Sequence, residues 1–167
     1  MPHVAILLAA GRGTRLAPLS NEWPKCLMPI ADRPLLDYWL FLLRKARASS
    51  VFVNTHTHAK HVERYLERPM FANWATSYYE PELLGTAGTV RALATYLGDE
   101  PVLVAHADNL IDCDLEGFFE AHRLRSTGSV ITMMTFSSPD PQSCGIVEVN
   151  ARGVVEHMEE KPAHPKC

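Results

Sequence analysis

The chain has 167 residues and carries 16 lysines and arginines against 19 aspartates and glutamates, a net charge of −3. That length suits one domain with a real core, and 47% hydrophobic against 21% charged residues excludes a disordered chain. No stretch reaches the roughly 18 apolar residues of a membrane span, Met1-Pro2-His3 lacks the positive region of a signal peptide, and no lysine- or arginine-rich block offers the footprint of duplex binding. A cytoplasmic protein without membrane or nucleic-acid polymer as partner is expected, with self-association into a homo-oligomer left open. Cys26, Cys113, Cys144 and Cys167 show no Cys-x-x-Cys spacing and read as reduced thiols.

The first predicted element is the apolar run Val4 to Ala9, which suits a strand buried on both faces and ends at Gly11-Arg12-Gly13. Pro34 is expected as the first residue of a helix in which Leu35, Leu36, Trp39, Leu40, Leu42, Leu43 and Ala46 recur at helical spacing, up to Ser49-Ser50. A strand over Val51 to Asn54 and a helix from about Ala59 to Leu66 follow. Next come a short strand at Ala75 to Tyr79, a helix at Ala87 to Leu97 with a glycine-rich start, and an apolar strand at Val102 to Ala105. A helix over Leu115 to Arg125, a strand over Val130 to Thr135, and a hairpin of Cys144 to Val149 with Val154 to Met158 complete the series. Strands alternating with helices predict an α/β, doubly wound, mostly parallel sheet with an antiparallel hairpin near the end.

In such a sheet ligands bind beyond the carboxyl ends of the strands. After the first strand, Gly11 and Gly13 let backbone N–H groups approach an anion and Arg15 adds a forked cationic donor, which together read as a phosphate cradle. A dinucleotide fingerprint fails because Leu16 stands at its third glycine and the second strand ends in Asn54, where an acidic ribose ligand belongs. That disfavours a dinucleotide-dependent oxidoreductase, and no Walker A spacing is present. Lys25 lies in Pro24-Lys25-Cys26-Leu27-Met28-Pro29, a stretch that its prolines are expected to hold extended. His56, His58 and His61 lack a cysteine or carboxylate at matching spacing, so zinc is not indicated. Asp112 and Asp114 read as surface or helix-cap residues.

Leu8-Ala9-Ala10-Gly11-x-Gly13-Thr14-Arg15-Leu16-x-Pro18-Leu19, followed by Pro24-Lys25-x-Leu27-x-Pro29-Ile30, resembles the signature of the sugar-1-phosphate nucleotidylyltransferases. Four further segments continue the resemblance to about residue 162: Glu80 to Gly88, Val102 to Asn109, Cys144 to Glu148, and Glu159-Glu160-Lys161-Pro162. The resemblance implies Mg²⁺-dependent transfer of a nucleotidyl group from an NTP to a sugar 1-phosphate, with pyrophosphate released. It assigns nucleotide binding to Leu8, Ala10, Gly11, Gly13, Thr14, Glu80 and Gly85, catalysis to Arg15 and Lys25, and magnesium to Asp108. Gly145, Glu160 and Lys161 are assigned to the sugar phosphate. Leu84-Gly85-Thr86-Ala87-Gly88 is closest to the guanylyl- and some uridylyltransferases, and a carboxylate at Glu80 suits the donor pair of guanine. GTP and a mannose-type sugar phosphate are therefore expected. The alternatives are a uridylyltransferase acting on a hexose or N-acetylhexosamine 1-phosphate, or a regulatory subunit that binds nucleotide sugar without turnover. The sequence departs from the family pattern at Ala107, where the family usually has glycine, and at Cys144, where it more often has an aromatic residue. The family also continues to a second metal-binding aspartate, so residues 1–167 are read as a single nucleotidyltransferase domain lacking its C-terminal part.

Overall fold

The computed structural model of the chain describes residues 3–164. The chain forms two compact units, Met1–Cys113 and Asp114–Cys167. In the first unit, β1 (Val4–Leu8), β4 (Ser50–Thr55), β5 (Ala75–Tyr79) and β6 (Val102–His106) make a parallel sheet in the order β5-β4-β1-β6. Between β1 and β4 run two short antiparallel strands, β2 (Pro29–Ile30) and β3 (Arg33–Pro34). The strand order reverses at β1, which has β4 on one side and β6 on the other. A crevice therefore opens at the carboxyl end of β1, where the connections leave in opposite directions.

All five residues of β1 are buried, as its unbroken apolar run requires of a central strand. On one face Val4, Ile6 and Leu8 pack with Leu93 and Leu97 of α3 (Gly85–Leu97). Alternation puts Ala5 and Leu7 on the other face, beside Val51 and Val53 of β4 by register, and these four are buried as well. Helix α1 (Leu35–Lys45) buries Leu35, Leu36, Trp39, Leu40 and Leu43, one stripe at helical spacing, and carries Arg44 and Lys45 in its last turn, where cations complement the helix dipole. Pro34, expected as the first helical residue, is instead the N-cap at the end of β3, and the helix starts one residue later, at Leu35. Helix α2 (Ala59–Leu66) buries Val62, Tyr65 and Leu66.

The second unit holds α4 (Leu115–Arg123) and the antiparallel hairpin β7 (Gly145–Val149) and β8 (Val155–Glu160). Asp114 caps α4, its side chain accepting from Gly117 N at 3.0 Å. The hairpin turn is tied by Asn150, whose Oδ1 accepts from Arg152 N and Val154 N. The strand expected over Val130 to Thr135 is absent: residues 129–138 adopt no regular structure, and Val130 and Ile131 are 80% and 75% exposed. β-branched residues favour a pleated surface only where a neighbouring strand supplies the ladder, and within this unit β7 and β8 pair with each other.

Candidate functional site

The parallel register brings Leu8, Asn54 and His106 abreast at the carboxyl edge of the sheet. Beyond that edge lies an open cleft lined by Leu8, Ala9, Ala10, Gly11, Lys25, Asn54, Glu80, Leu83, Gly85, Thr86, His106 and Asp108. Of the residues assigned from sequence, Leu8, Ala10, Gly11, Lys25, Glu80, Gly85 and Asp108 thus meet in one place. Asn54, His106, Leu83 and Thr86 join them without having been singled out. Gly13, Thr14 and Arg15 are not among the lining residues. Gly13 takes a left-handed φ of 60° and starts a single 3₁₀ turn, Thr14–Leu16, on which Arg15 is exposed.

The loop after β1 divides its amides between two tasks. Ala9 N and Ala10 N both donate to Asn54 Oδ1, at 2.6 and 3.1 Å. The amides of Gly11, Arg12 and Gly13 have no acceptor among the described residues. The cradle is therefore shorter than the sequence implies: Ala10 keeps its place in the cleft, but its N–H is already used. Three consecutive free amides, two of them on glycines, offer donors suited to an anion.

Facing that loop, Lys25 Nζ lies 2.8 Å from Asp108 Oδ2, the two side chains being 27% and 35% exposed. The segment that carries the lysine is not extended as expected. Lys25–Leu27 is a 3₁₀ turn, closed by Leu27 N to Pro24 O and Met28 N to Lys25 O at 3.0 Å each and braced by Trp23 Nε1 donating to Leu27 O. The turn buries Cys26 and Leu27 and leaves Lys25 facing the cleft. Burial pushes the Cys26 thiol up to about 12, so it is a neutral packing group and no nucleophile. On the opposite side, Ala107 N donates to Leu8 O at 3.0 Å and Trp39 Nε1 donates to Asn109 O at 2.8 Å, pinning the residues on both sides of Asp108. Ala107, where the family has glycine, is fully buried.

Glu80 is 1% exposed, and its carboxylate is committed inside the protein. Oε1 accepts from Asn54 Nδ2 at 3.0 Å and from Thr89 Oγ1 at 2.5 Å, and Oε2 accepts from Leu84 N at 3.2 Å. Three donors leave at most one acceptor position, on Oε2, so the two-point contact with the guanine donor pair expected of this carboxylate has no room. Its work is to hold the start of α3, whose Gly85 and Thr86 border the cleft.

The three histidines of the 56–61 stretch serve separate structural partners. His56 Nδ1 pairs with Glu80 O at 2.8 Å, His58 Nε2 with Ser20 O at 3.1 Å, and His61 packs edge-on against Trp23. Gly145 and Glu160 are paired residues at the open end of the hairpin in the second unit. Next to them Lys161 N donates to Cys144 O at 3.0 Å, and Lys161 Nζ lies 3.9 Å from Glu160 Oε1. A Cβ at position 145 would lie 3.0 Å from the Glu160 carboxylate, so a side chain there would make the exposed end of Glu160 shift by a few tenths of an ångström.

With this geometry in hand, comparison with known proteins gives consistent results. The family described as Nucleotidyl transferase matches residues 4–167. A UTP–glucose-1-phosphate uridylyltransferase of Synechocystis is 30% identical over 95% of this chain and 44% of its own length. The mannose-1-phosphate guanylyltransferase catalytic subunit beta of Drosophila pseudoobscura is 29% identical over 95% of this chain and 43% of its own. The chain thus spans less than half the length of these curated relatives. A solved structure of UTP-bound UGPase from Acinetobacter baumannii superimposes with a TM-score of 0.77 at 22% identity, covering 97% of this chain and 68% of that one, which shows the shared fold. The chain belongs to the nucleotidyl transferase family, among relatives named as sugar-1-phosphate nucleotidyltransferases.

Proposed function

We propose that the cleft at the carboxyl edge of the sheet binds a nucleoside triphosphate and that the chain takes part in transferring its nucleotidyl group to a sugar 1-phosphate. One observation carries this reading: three free amides, Gly11 to Gly13, stand at the same strand end as the Lys25–Asp108 pair. An anion with several phosphates meets donors from the loop and a cation from Lys25. Leu8, Leu83, Gly85 and Thr86 offer apolar and backbone surface for the base, while Arg15 and Thr14 border the cradle from the adjoining turn.

The phosphate of the sugar substrate is already an anion, so its attack on the α-phosphorus needs no general base. Catalysis is then positioning and charge neutralisation, with Lys25 balancing the negative charge that builds on the α-phosphate during in-line displacement. Gly145, Glu160 and Lys161 are the ligands proposed for the sugar phosphate. Asp108, whose Oδ2 pairs with Lys25 Nζ, is the residue that would hold magnesium, since a carboxylate oxygen is the hard ligand that ion prefers. Such an ion, when bound, supplies Lewis-acid neutralisation of the triphosphate. GTP with a mannose-type 1-phosphate is the preferred pair, supported by the Leu84 to Gly88 segment and no longer by Glu80.

Pyrophosphate release tests the proposal, with Mg²⁺, each of GTP, UTP, ATP, CTP and dTTP, and the 1-phosphates of mannose, glucose and N-acetylglucosamine. Turnover with GTP and mannose 1-phosphate, abolished by chelator, is the expected result. Turnover only with UTP overturns the base preference, and nucleotide binding without any pyrophosphate selects the non-catalytic alternative.

A further inference from the structure

Every polar group of the Asn54 side chain, at the floor of the cleft, is spoken for. It is 4% exposed, its Oδ1 accepts from the amides of Ala9 and Ala10, and its Nδ2 donates to Glu80 Oε1 and Thr89 Oγ1. A side-chain amide has two acceptor sites and two donor hydrogens, so this arrangement is complete and fixes which way the amide points. Glu80 and Thr89 are buried with it, and Glu80 in turn holds Leu84 N at the start of α3. A continuous buried network thus runs from the phosphate loop, through the end of β4, to the segment beside the base. The links among Ala10, Asn54, Glu80 and Thr89 are buried, where a hydrogen bond is stiff and an unpaired group costly, while those to Ala9 N and Leu84 N at the two ends are part-buried.

We propose that Asn54 is the positioning residue that ties the phosphate-binding loop to the start of α3, so that the three free amides of Gly11 to Gly13 are presented at a fixed distance from the base. By accepting the two amides that precede the cradle, Asn54 sets where the cradle begins. Glycines alone would leave that point free to wander. The residue touches none of the reacting groups and acts through the backbone it holds. The inference rests on the nucleotide reading of the cleft.

Two substitutions separate this role from simple support of the fold. Asn54→Asp keeps the acceptor for Ala9 and Ala10 but sets a second buried carboxylate against Glu80. The double variant Asn54→Asp with Glu80→Gln restores a complementary pair, since the new glutamine donates where asparagine did and Thr89 donates to the new aspartate. The quantity read is the gain in affinity from GMP to GTP, and from UMP to UTP, by equilibrium binding with Mg²⁺, alongside amide hydrogen exchange at Ala9, Ala10 and Leu84 without nucleotide. In Asn54→Asp the gain from the added phosphates is expected to shrink about tenfold, the scale of one hydrogen bond, and exchange at Leu84, held through Glu80, to speed up. The double variant is expected to recover both. An unchanged triphosphate gain in Asn54→Asp, or a double variant no better than the single one, overturns the inference. Wild-type protein that binds neither nucleotide removes the reading beneath it, which is a different result from binding that ignores the substitution.

Discussion

Lys25→Ala is expected to lower the rate of pyrophosphate release by about 10²-fold or more, the scale seen when one charge-stabilising group is lost from a transition state. The same substitution is expected to leave folding nearly untouched. Its ion pair with Asp108 is partly exposed, and exposed pairs contribute roughly 0 to 1 kcal/mol. The two readouts therefore separate chemistry from stability. Lys25→Arg is no safe substitute, because a broad, planar guanidinium cannot reproduce a compact point charge on a short 3₁₀ turn packed through Cys26 and Leu27. Turnover of Lys25→Ala within about threefold of wild type, in a protein that unfolds normally, would remove Lys25 from the mechanism.

The second large effect falls on stability. Trp39 is 4% exposed in the buried stripe of α1, and its indole N–H reaches Asn109 O next to Asp108. Trp39→Ala removes that packing and opens a cavity, a loss of about 3 to 5 kcal/mol by comparison with other buried aromatics. Against a total of roughly 5 to 15 kcal/mol for ordinary domains, that approaches unfolding. Trp39→Phe keeps most of the buried ring and is expected to cost only about 1 to 2 kcal/mol, while losing the one hydrogen bond from α1 that holds the Asp108 turn. Urea unfolding followed by circular dichroism measures both. Equal losses for phenylalanine and alanine would mean that the hydrogen bond, and not the packing, carries the effect.

Much of the fold was legible because its signals are local. The unbroken apolar run of β1 marks a central parallel strand, and the spacing of Leu35, Leu36, Trp39, Leu40 and Leu43 marks a helix with one buried side. The Asn150–Gly153 turn likewise announces a hairpin, with glycine taking a φ of 75°. Val130 to Thr135 misled for the converse reason, since strand propensity describes a residue's fitness for a ladder and says nothing about whether a partner strand is present. The cleft was legible where residues sit just past a strand end, as Gly11 and Asp108 do. Asn54 and Thr89 were not, because their importance lies in pairing across 26 to 45 positions of sequence, which the register of β4 with β1 and β5 and the packing of α3 bring together. Glu80 shows the same limit from the other side: its motif placed it beside the base, but only the structure shows its carboxylate turned inward onto Asn54, Thr89 and Leu84.

The most direct test of the nucleotide cleft is an amide ¹H–¹⁵N titration of the chain with Mg²⁺ and GTP, then UTP. The account predicts that the amides of Gly11, Arg12 and Gly13 move most, because they are free donors. Those of Ala9 and Ala10 should move far less, since Asn54 already holds them. Saturable shifts confined to other surfaces, with Gly11 to Gly13 unmoved at full occupancy, would contradict it.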